Sequence, residues 1–401
     1  MIKKYRTKPI NPNFIIIMAF FSTFKNANIY LIGSNQNLMI GLDYLFSTFV
    51  TACFSLIVLK SLKSFRIDRK VKYFLPLLTW IVTKSLVLTF FASGEYIPRN
   101  LITAFLCTAV IVLSINDIVD FRKVVWSFAI GAGISALIPL ILHPEMIGYR
   151  SGWLNGVHFR GGFWNFTLIS FVSAGWIAIA LAKNSEKKYT RLLSYLIFLT
   201  TWIAAFAGLS RTLLLMSFVG IATYLLYTRR IKPAFKMGLL VLVLVIITFK
   251  FFPGVVANIS ERINLTQRAY QDEGRVVIWR HYLENASEYF VVGALGNYRD
   301  FDPAGHGPHS VFLNWLVQYG LIGLIGFMYL IWGLLKEIKR VTKYSRDEAA
   351  LLLAWLTSYL TLSSINQTGF IEASFYVGFG IVLTWTKLHK EDEHSSSISV
   401  E

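Results

Sequence analysis

Apolar residues occur along the chain in repeated runs of about 17–20, separated by shorter polar gaps. A helix of this length crosses the roughly 30 Å of a bilayer's hydrocarbon core. The pattern predicts an all-α polytopic membrane protein with about twelve transmembrane helices. We expect these helices at residues 14–32, 41–59, 73–91, 98–115, 124–142, 163–182, 192–209, 212–228, 237–252, 309–335, 347–365 and 371–386.

The gaps between the predicted helices alternate in their content of basic residues. Of the 39 Lys and Arg residues, 27 lie in alternate gaps. Cytoplasmic loops of membrane proteins carry such an excess, so we expect these gaps and both termini in the cytoplasm. The net charge of +17 therefore reflects topology and not a nucleic-acid-binding face. The basic gaps are 1–13, 60–72, 116–123, 183–191, 229–236, 336–346 and 387–401.

One gap on the opposite side is much longer than the others. Residues 253–308 are expected to form an extracytoplasmic loop between helices nine and ten, with a helix near 273–290. Helices one to nine then occupy 1–252, beginning with a retained signal anchor. Helices ten to twelve occupy 309–386. The polar, low-complexity tail at 387–401 is expected to be a disordered cytoplasmic segment.

Basic residues predicted on the outer side are all arginine, apart from lysines inside apolar runs. Arginine presents a planar fork that binds phosphate oxygens in pairs and stays charged. Topology alone gives no reason to prefer it over lysine. The outer face is therefore predicted to hold a phosphorylated ligand. These arginines are Arg99, Arg150, Arg160, Arg211, Arg262, Arg268, Arg275, Arg280 and Arg299.

Three predicted helices begin on the outer side beside a basic or ionisable residue, namely Arg160, Arg211 and His309. A helix N-terminus offers unpaired N–H groups and the positive end of the helix dipole. These helix N-termini are expected at the outer boundary of the membrane, where the diphosphate of a lipid-linked donor would be located. Arginines can stabilise a departing diphosphate without a metal, and a neutral histidine can take a proton from an attacking hydroxyl.

Five segments occur in an order that resembles a known family: RSGWLNG, LSRTLLL, GRVVIW, VVGALGNY and HGPHSVFLNWLVQYGLIGLIGF, within residues 145–330. The run is similar to the O-antigen ligase and polymerase family of bacterial envelope glycosyltransferases. This resemblance implies a GT-C-like fold. It also implies inverting, metal-independent transfer of a glycan from undecaprenyl diphosphate, with no cofactor.

The same resemblance suggests roles for individual residues. Arg211 and Arg275 match the family's diphosphate-binding arginines, and His309 matches its essential histidine, so these three are the predicted catalytic residues. Arg160 and Arg280 are expected to assist in binding the donor. Accessory candidates are Arg150, His306 and Trp279. In one departure, Ser310 follows the histidine where the family often has asparagine.

Simpler interpretations stand beside these roles. Arg211 could anchor a helix end to lipid headgroups, Arg275 could be a solvated loop charge, and His309 could cap a helix. Residues 300–302 read Asp-Phe-Asp, like a metal motif of some glycosyltransferases, but such a triplet arises easily by chance. We predict no metal.

Lys84 lies near the middle of the third predicted helix. A charge within a membrane span suggests a functional site, although snorkelling to the interface is an equal alternative. Asp43 and Glu95 are candidate partners for it.

Two classes of function remain open. We expect a glycosyltransferase of the bacterial cytoplasmic (inner) membrane with its active site on the periplasmic side. Its donor would be an undecaprenyl-diphosphate-linked glycan. The acceptor would be lipid A–core for a ligase, or a second lipid-linked glycan for a polymerase; protein is a third, weaker acceptor. The alternative is a flippase or transporter of lipid-linked oligosaccharides, for which internal repeats are typical.

Overall fold

The computed structural model describes most of the helical parts of the chain. It covers residues 10–24, 36–61, 71–91, 98–142, 151–154, 157–160, 188–207, 211–229, 274–303, 305, 307–365 and 373–398, and isolated positions between 239 and 250.

The described residues form α-helices and one small hairpin. Long apolar stretches fold as helices because a helix satisfies its own backbone hydrogen bonds without water. The helices are α1 (Pro12–Phe24), α2 (Gln36–Ser61), α3 (Leu75–Phe91), α4 (Arg99–Ser114), α5 (Ile118–Leu142), α6 (Lys188–Ala207), α7 (Arg211–Thr228), α8 (Gly274–Glu284), α9 (Val311–Val341), α10 (Arg346–Ile365) and α11 (Ala373–Ile398). Short 3-10 turns occur at Val71–Tyr73, Ala286–Glu288 and Tyr298–Phe301.

Among the described residues, three helical spans have the length and apolar composition needed to cross a membrane: Ile40–Lys60, Ile118–Leu142 and Val311–Val341. Shorter apolar helices accompany them at Pro12–Phe24, Leu75–Phe90, Arg99–Ser114 and Phe218–Thr228. This architecture is consistent with a polytopic membrane protein. The predicted helices at 163–182 and 237–252 lie outside the described residues or are described only at single positions.

Two features depart from the sequence prediction. Strands β1 (Ser151–Leu154) and β2 (Val157–Arg160) pair antiparallel, with Ser151 opposite Arg160, and form a short hairpin that the prediction did not include, although the described fold is otherwise helical. The last helix continues to Ile398 and occupies most of the tail for which we predicted disorder.

Most of the described helices pack around one large core. Helix α7 packs on α10, α1 on α5, and α11 on α4. Trp315, Trp355, Trp385 and Tyr376 are among the largest side chains fully enclosed in it. Such aromatic packing accounts for much of the van der Waals contact that holds helices together in lipid, where apolar burial gives no separate driving force.

Helix α9 is interrupted at Gly320, whose backbone adopts φ 69° and ψ −172°. Glycine is the residue that reaches this conformation without steric cost. A Cβ at this position would overlap the Val291 carbonyl. The break divides α9 into a short segment, 311–319, and a longer one that ends at Val341.

Candidate active site

Helix α8 lies within the segment 253–308 and carries two of the predicted site residues on one face. Trp279 follows Arg275 by four residues, which places them one above the other on a helix. The indole Nε1 of Trp279 donates a hydrogen bond of 2.7 Å to the carbonyl oxygen of Pro308. Helix α8 is therefore joined directly to the residue before His309.

His309 has a left-handed backbone conformation, with φ 48°. Among the described non-glycine residues, only Arg229 shares a positive φ. Such conformations cost about 1–3 kcal/mol and are concentrated at functional sites. His309 is partly buried. The bonded Pro308 carbonyl on one side and the start of α9 on the other determine the path of the chain at this histidine.

The start of α9 differs from the prediction by two residues. The sequence suggested a helix from residue 309; the helix instead begins at Val311, with Ser310 as its extended N-cap. The Ser310 side chain makes no capping hydrogen bond. An uncapped N-terminus leaves backbone N–H groups and the positive end of a helix dipole near His309.

A second contact, between the side chains of His281 and Asp302, joins α8 to the loop that follows it. His281 Nδ1 lies 3.0 Å from Asp302 Oδ1, and Asp302 is only 4% exposed. Asp300 is exposed and accepts a 2.9 Å hydrogen bond from Asn297 Nδ2. The two aspartates of the Asp-Phe-Asp triplet thus have separate partners within the loop. That the site needs no metal stays a prediction.

A small core of its own supports this segment. Tyr282, Tyr289, Ala294 and Val317 are buried together, and the Tyr289 hydroxyl donates a hydrogen bond to the Tyr282 carbonyl. Burial raises the pKa of Tyr289 to about 12 and also raises the pKa of Tyr282. Both phenols stay protonated at neutral pH, which makes them supports and not general bases.

One comparison with known proteins bears on this geometry. Residues 196–328 match the family model described as O-antigen ligase. The match supports assigning the chain to the O-antigen ligase and polymerase family. The resemblance seen in the sequence is thereby confirmed. The chain matches no curated protein.

The segment matched by the O-antigen ligase model runs from α6 into α9 and contains the whole arrangement around α8. Arg211, Arg275 and His309 all lie within it, whereas Arg150 and Arg160 precede it. This family implies a glycosyltransferase-type enzyme that uses lipid-linked glycans.

The structure brings together only some of the predicted site residues. Arg275, Trp279 and His309 are connected through α8 and Pro308. Arg280 follows Trp279 on α8 and is exposed. The main chain of Arg211 begins α7, and that of Arg160 ends β2. Arg150 and His306 lie outside the described residues.

Lys84 has partners that the sequence did not indicate. It is 5% exposed, and its Nζ donates a hydrogen bond to the carbonyl oxygen of Gln318 and lies 5.6 Å from the ring centre of Tyr319. Neither contact involves Asp43, and the other predicted partner, Glu95, lies outside the described residues. A lysine in an apolar run could be recognised in the sequence as unusual. Its partner could not be recognised, because it is a backbone carbonyl.

Proposed function

We propose that the protein is a glycosyltransferase that moves a glycan from an undecaprenyl-diphosphate donor to a hydroxyl acceptor. The observation that supports this most is the Trp279–Pro308 hydrogen bond. It joins the arginine-bearing helix α8 to the backbone at His309, inside the segment that matches the O-antigen ligase model. The acceptor is lipid A–core if the protein is a ligase, or a second lipid-linked glycan if it is a polymerase.

Arginine supplies the electrostatic part of the proposed reaction. Arg211 and Arg275 bind the donor diphosphate, and Arg160 or Arg280 assists. The N-terminus of α9 adds partial positive charge from N–H groups that Ser310 does not cap. As the bond between the anomeric carbon and the diphosphate oxygen breaks, negative charge grows on the diphosphate. Fixed positive groups stabilise that charge without a metal.

His309 supplies the proton transfer. The acceptor hydroxyl attacks the anomeric carbon from the face opposite the diphosphate, and the configuration there inverts. The hydroxyl proton passes to the imidazole of His309, which acts as a general base. The strained backbone at φ 48° sets the direction in which the His309 side chain leaves the main chain.

The proposed location follows from charge. All of the basic gaps face the cytoplasm, including 1–13, 60–72 and 336–346, and so do both termini. The loop that carries α8, and with it the active site, then faces the periplasm. This is the side on which a donor already moved across the membrane would be presented.

Transfer by purified protein tests the proposal. The donor is an undecaprenyl-diphosphate-linked oligosaccharide, offered with lipid A–core or with a second donor molecule, with and without EDTA. Product on lipid A–core establishes a ligase, and a ladder of lengthened lipid-linked glycans establishes a polymerase. Absence of product, together with movement of the donor across a bilayer, would contradict the enzyme and support the alternative flippase.

A further inference from the structure

Three consecutive carbonyls at the break in α9 accept hydrogen bonds from groups outside that helix. The Val317 oxygen accepts from the Ala294 amide at 2.7 Å, the Gln318 oxygen from Lys84 Nζ, and the Tyr319 oxygen from Trp80 Nε1 at 2.8 Å. A helix end leaves its last carbonyls unpaired, and within a membrane no water is present to pair with them. We call these contacts the α9 clasp.

The clasp joins three parts of the chain that are far apart in sequence. Helix α3 contributes Trp80 and Lys84, and the segment 290–294 contributes Ala294. That segment also accepts a 2.7 Å hydrogen bond at Phe290 from the Leu321 amide, just past the break. Gly293, with φ 83°, passes so close that a Cβ there would overlap the Gln318 carbonyl and Lys84 Nζ. Both sides of the break are thus held from outside α9.

The positive charge of Lys84 suits this position. The segment 311–319 is a short helix whose C-terminal carbonyls carry the negative end of its dipole, about half an elementary charge. In a low-dielectric interior an ammonium group beside those carbonyls offsets that charge. It also donates a hydrogen bond to the Gln318 carbonyl oxygen, which would otherwise be left unpaired.

The opposite end of the same short helix lies at the proposed active site. Segment 311–319 has nine residues and spans about 13 Å, with His309 just before its N-terminus. Trp279 holds Pro308 at that end, and the clasp holds the other end. A short helix fixed at both ends cannot slide or rotate without moving His309.

We propose that Lys84 is a positioning residue: through the α9 clasp it fixes the short helix 311–319 and so sets the place of His309. The catalytic part of this inference rests on the proposed function. Lys84 touches no reacting atom in this scheme. It holds the helix from which His309 acts.

The test compares Lys84→Met with Lys84→Arg and the control Ser85→Ala. Methionine keeps an unbranched side chain of similar length but removes the charge and the donor, whereas arginine retains both. Ser85 is the buried neighbour on α3, and its hydroxyl bonds within its own helix, to Ile81. The first readout is amide hydrogen exchange of the full-length protein, which requires no activity.

In Lys84→Met we expect exchange to speed up about tenfold at 290–294 and 307–321, with α10 unchanged. Turnover should fall about tenfold, with donor KM altered less than about twofold, because His309 moves while the arginines remain. Lys84→Arg should recover part of the turnover, and Ser85→Ala should match the original protein. If Lys84→Met fails to fold, Trp80→Phe removes one neighbouring donor and should give the same local pattern.

Two results would overturn the positioning role. One is unchanged exchange at 290–294 and 307–321 in both Lys84→Met and Trp80→Phe. The other is an equal acceleration in α10, which would make Lys84 a general support of the fold. If the original protein transfers no glycan, the proposed function fails, while the exchange pattern still decides whether Lys84 fixes the short helix.

Discussion

Trp279 Nε1 and the carbonyl oxygen of Pro308 are joined by a 2.7 Å hydrogen bond across 29 positions of sequence. This bond connects α8 to the residue before His309. It places an aromatic donor, an arginine one helical turn away and a strained histidine in one connected unit. The proposed chemistry needs those groups to hold a fixed relation, because small misplacements of a catalytic group are costly in rate.

Replacing Trp279 with phenylalanine removes this hydrogen bond and keeps most of the packing. We expect turnover in the transfer assay to fall about tenfold, since His309 loses one of its two supports. The control is Trp332→Phe, which changes a half-exposed tryptophan on α9. Equal activity of the two variants would show that the bond does not position the site.

Arg275 and Arg280 give a comparison within one helix. Arg275 is partly buried on the face of α8 that carries Trp279, whereas Arg280 is exposed. We expect Arg275→Ala to weaken binding of the lipid-linked donor by about tenfold or more, because it removes a bidentate phosphate contact. Arg280→Ala should weaken it less than about threefold. Titration of the donor in detergent or nanodiscs measures both, and the reverse order would disprove the assignment.

Substitution of Asp300 and Asp302 distinguishes a structural role of these residues from metal binding. Asp302 is buried against His281, and Asp300 is exposed. We expect Asp302→Asn to lower the thermal stability of the loop and reduce transfer severalfold, with Asp300→Asn close to the original protein. A metal held by the pair would instead make both variants inactive and the original protein sensitive to EDTA.

Gly320→Ala should be severely destabilising. The position has φ 69° and ψ −172°, a region essentially confined to glycine that costs other residues about 1–3 kcal/mol, and the added Cβ would overlap the Val291 carbonyl. We expect a large drop in the amount of folded protein. The measurement is the yield of monodisperse protein after extraction from the membrane in detergent. Gly41→Ala is the matched control because a Cβ there meets nothing within 4 Å. Normal yield of Gly320→Ala would mean that α9 runs unbroken.

Glu337 on α9 should contribute strongly to stability. It is fully buried, accepts hydrogen bonds from Tyr73 at 3.3 Å and Thr386 at 2.8 Å, and pairs with Arg340. Glu337→Ala leaves these donors without their acceptor, and we expect a loss of about 2–4 kcal/mol in unfolding free energy. The control is the exposed Glu284, whose change to Ala should have little effect. Comparable melting temperatures for the two variants would disprove the role.

The positions of most described helices could be predicted from the sequence because each is a long apolar run. Helix α9 (Val311–Val341) overlaps the predicted tenth transmembrane helix at 309–335 closely. Its interruption could not be predicted in the same way. The carbonyls at the break are paired with donors from Trp80, Lys84 and Ala294, which are distant in sequence.

Residue types for a candidate site could be proposed from the sequence, but the connections between those residues could not. The pattern of outer arginines and the motif around His309 identified the candidates, and helical spacing paired Arg275 with Trp279. The bond from Trp279 to Pro308 involves a backbone carbonyl, which carries no signal in the amino-acid sequence. The same holds for Lys84, whose acceptor is the carbonyl of Gln318.

The most direct test of the account is glycan transfer by purified His309→Asn, measured beside donor binding. Asparagine accepts a positive φ more readily than most residues, so this variant keeps the backbone and removes the base. We predict donor affinity within about twofold of the original protein and turnover reduced at least about 100-fold. Near-normal transfer by a variant present at normal membrane levels would contradict the central role of His309.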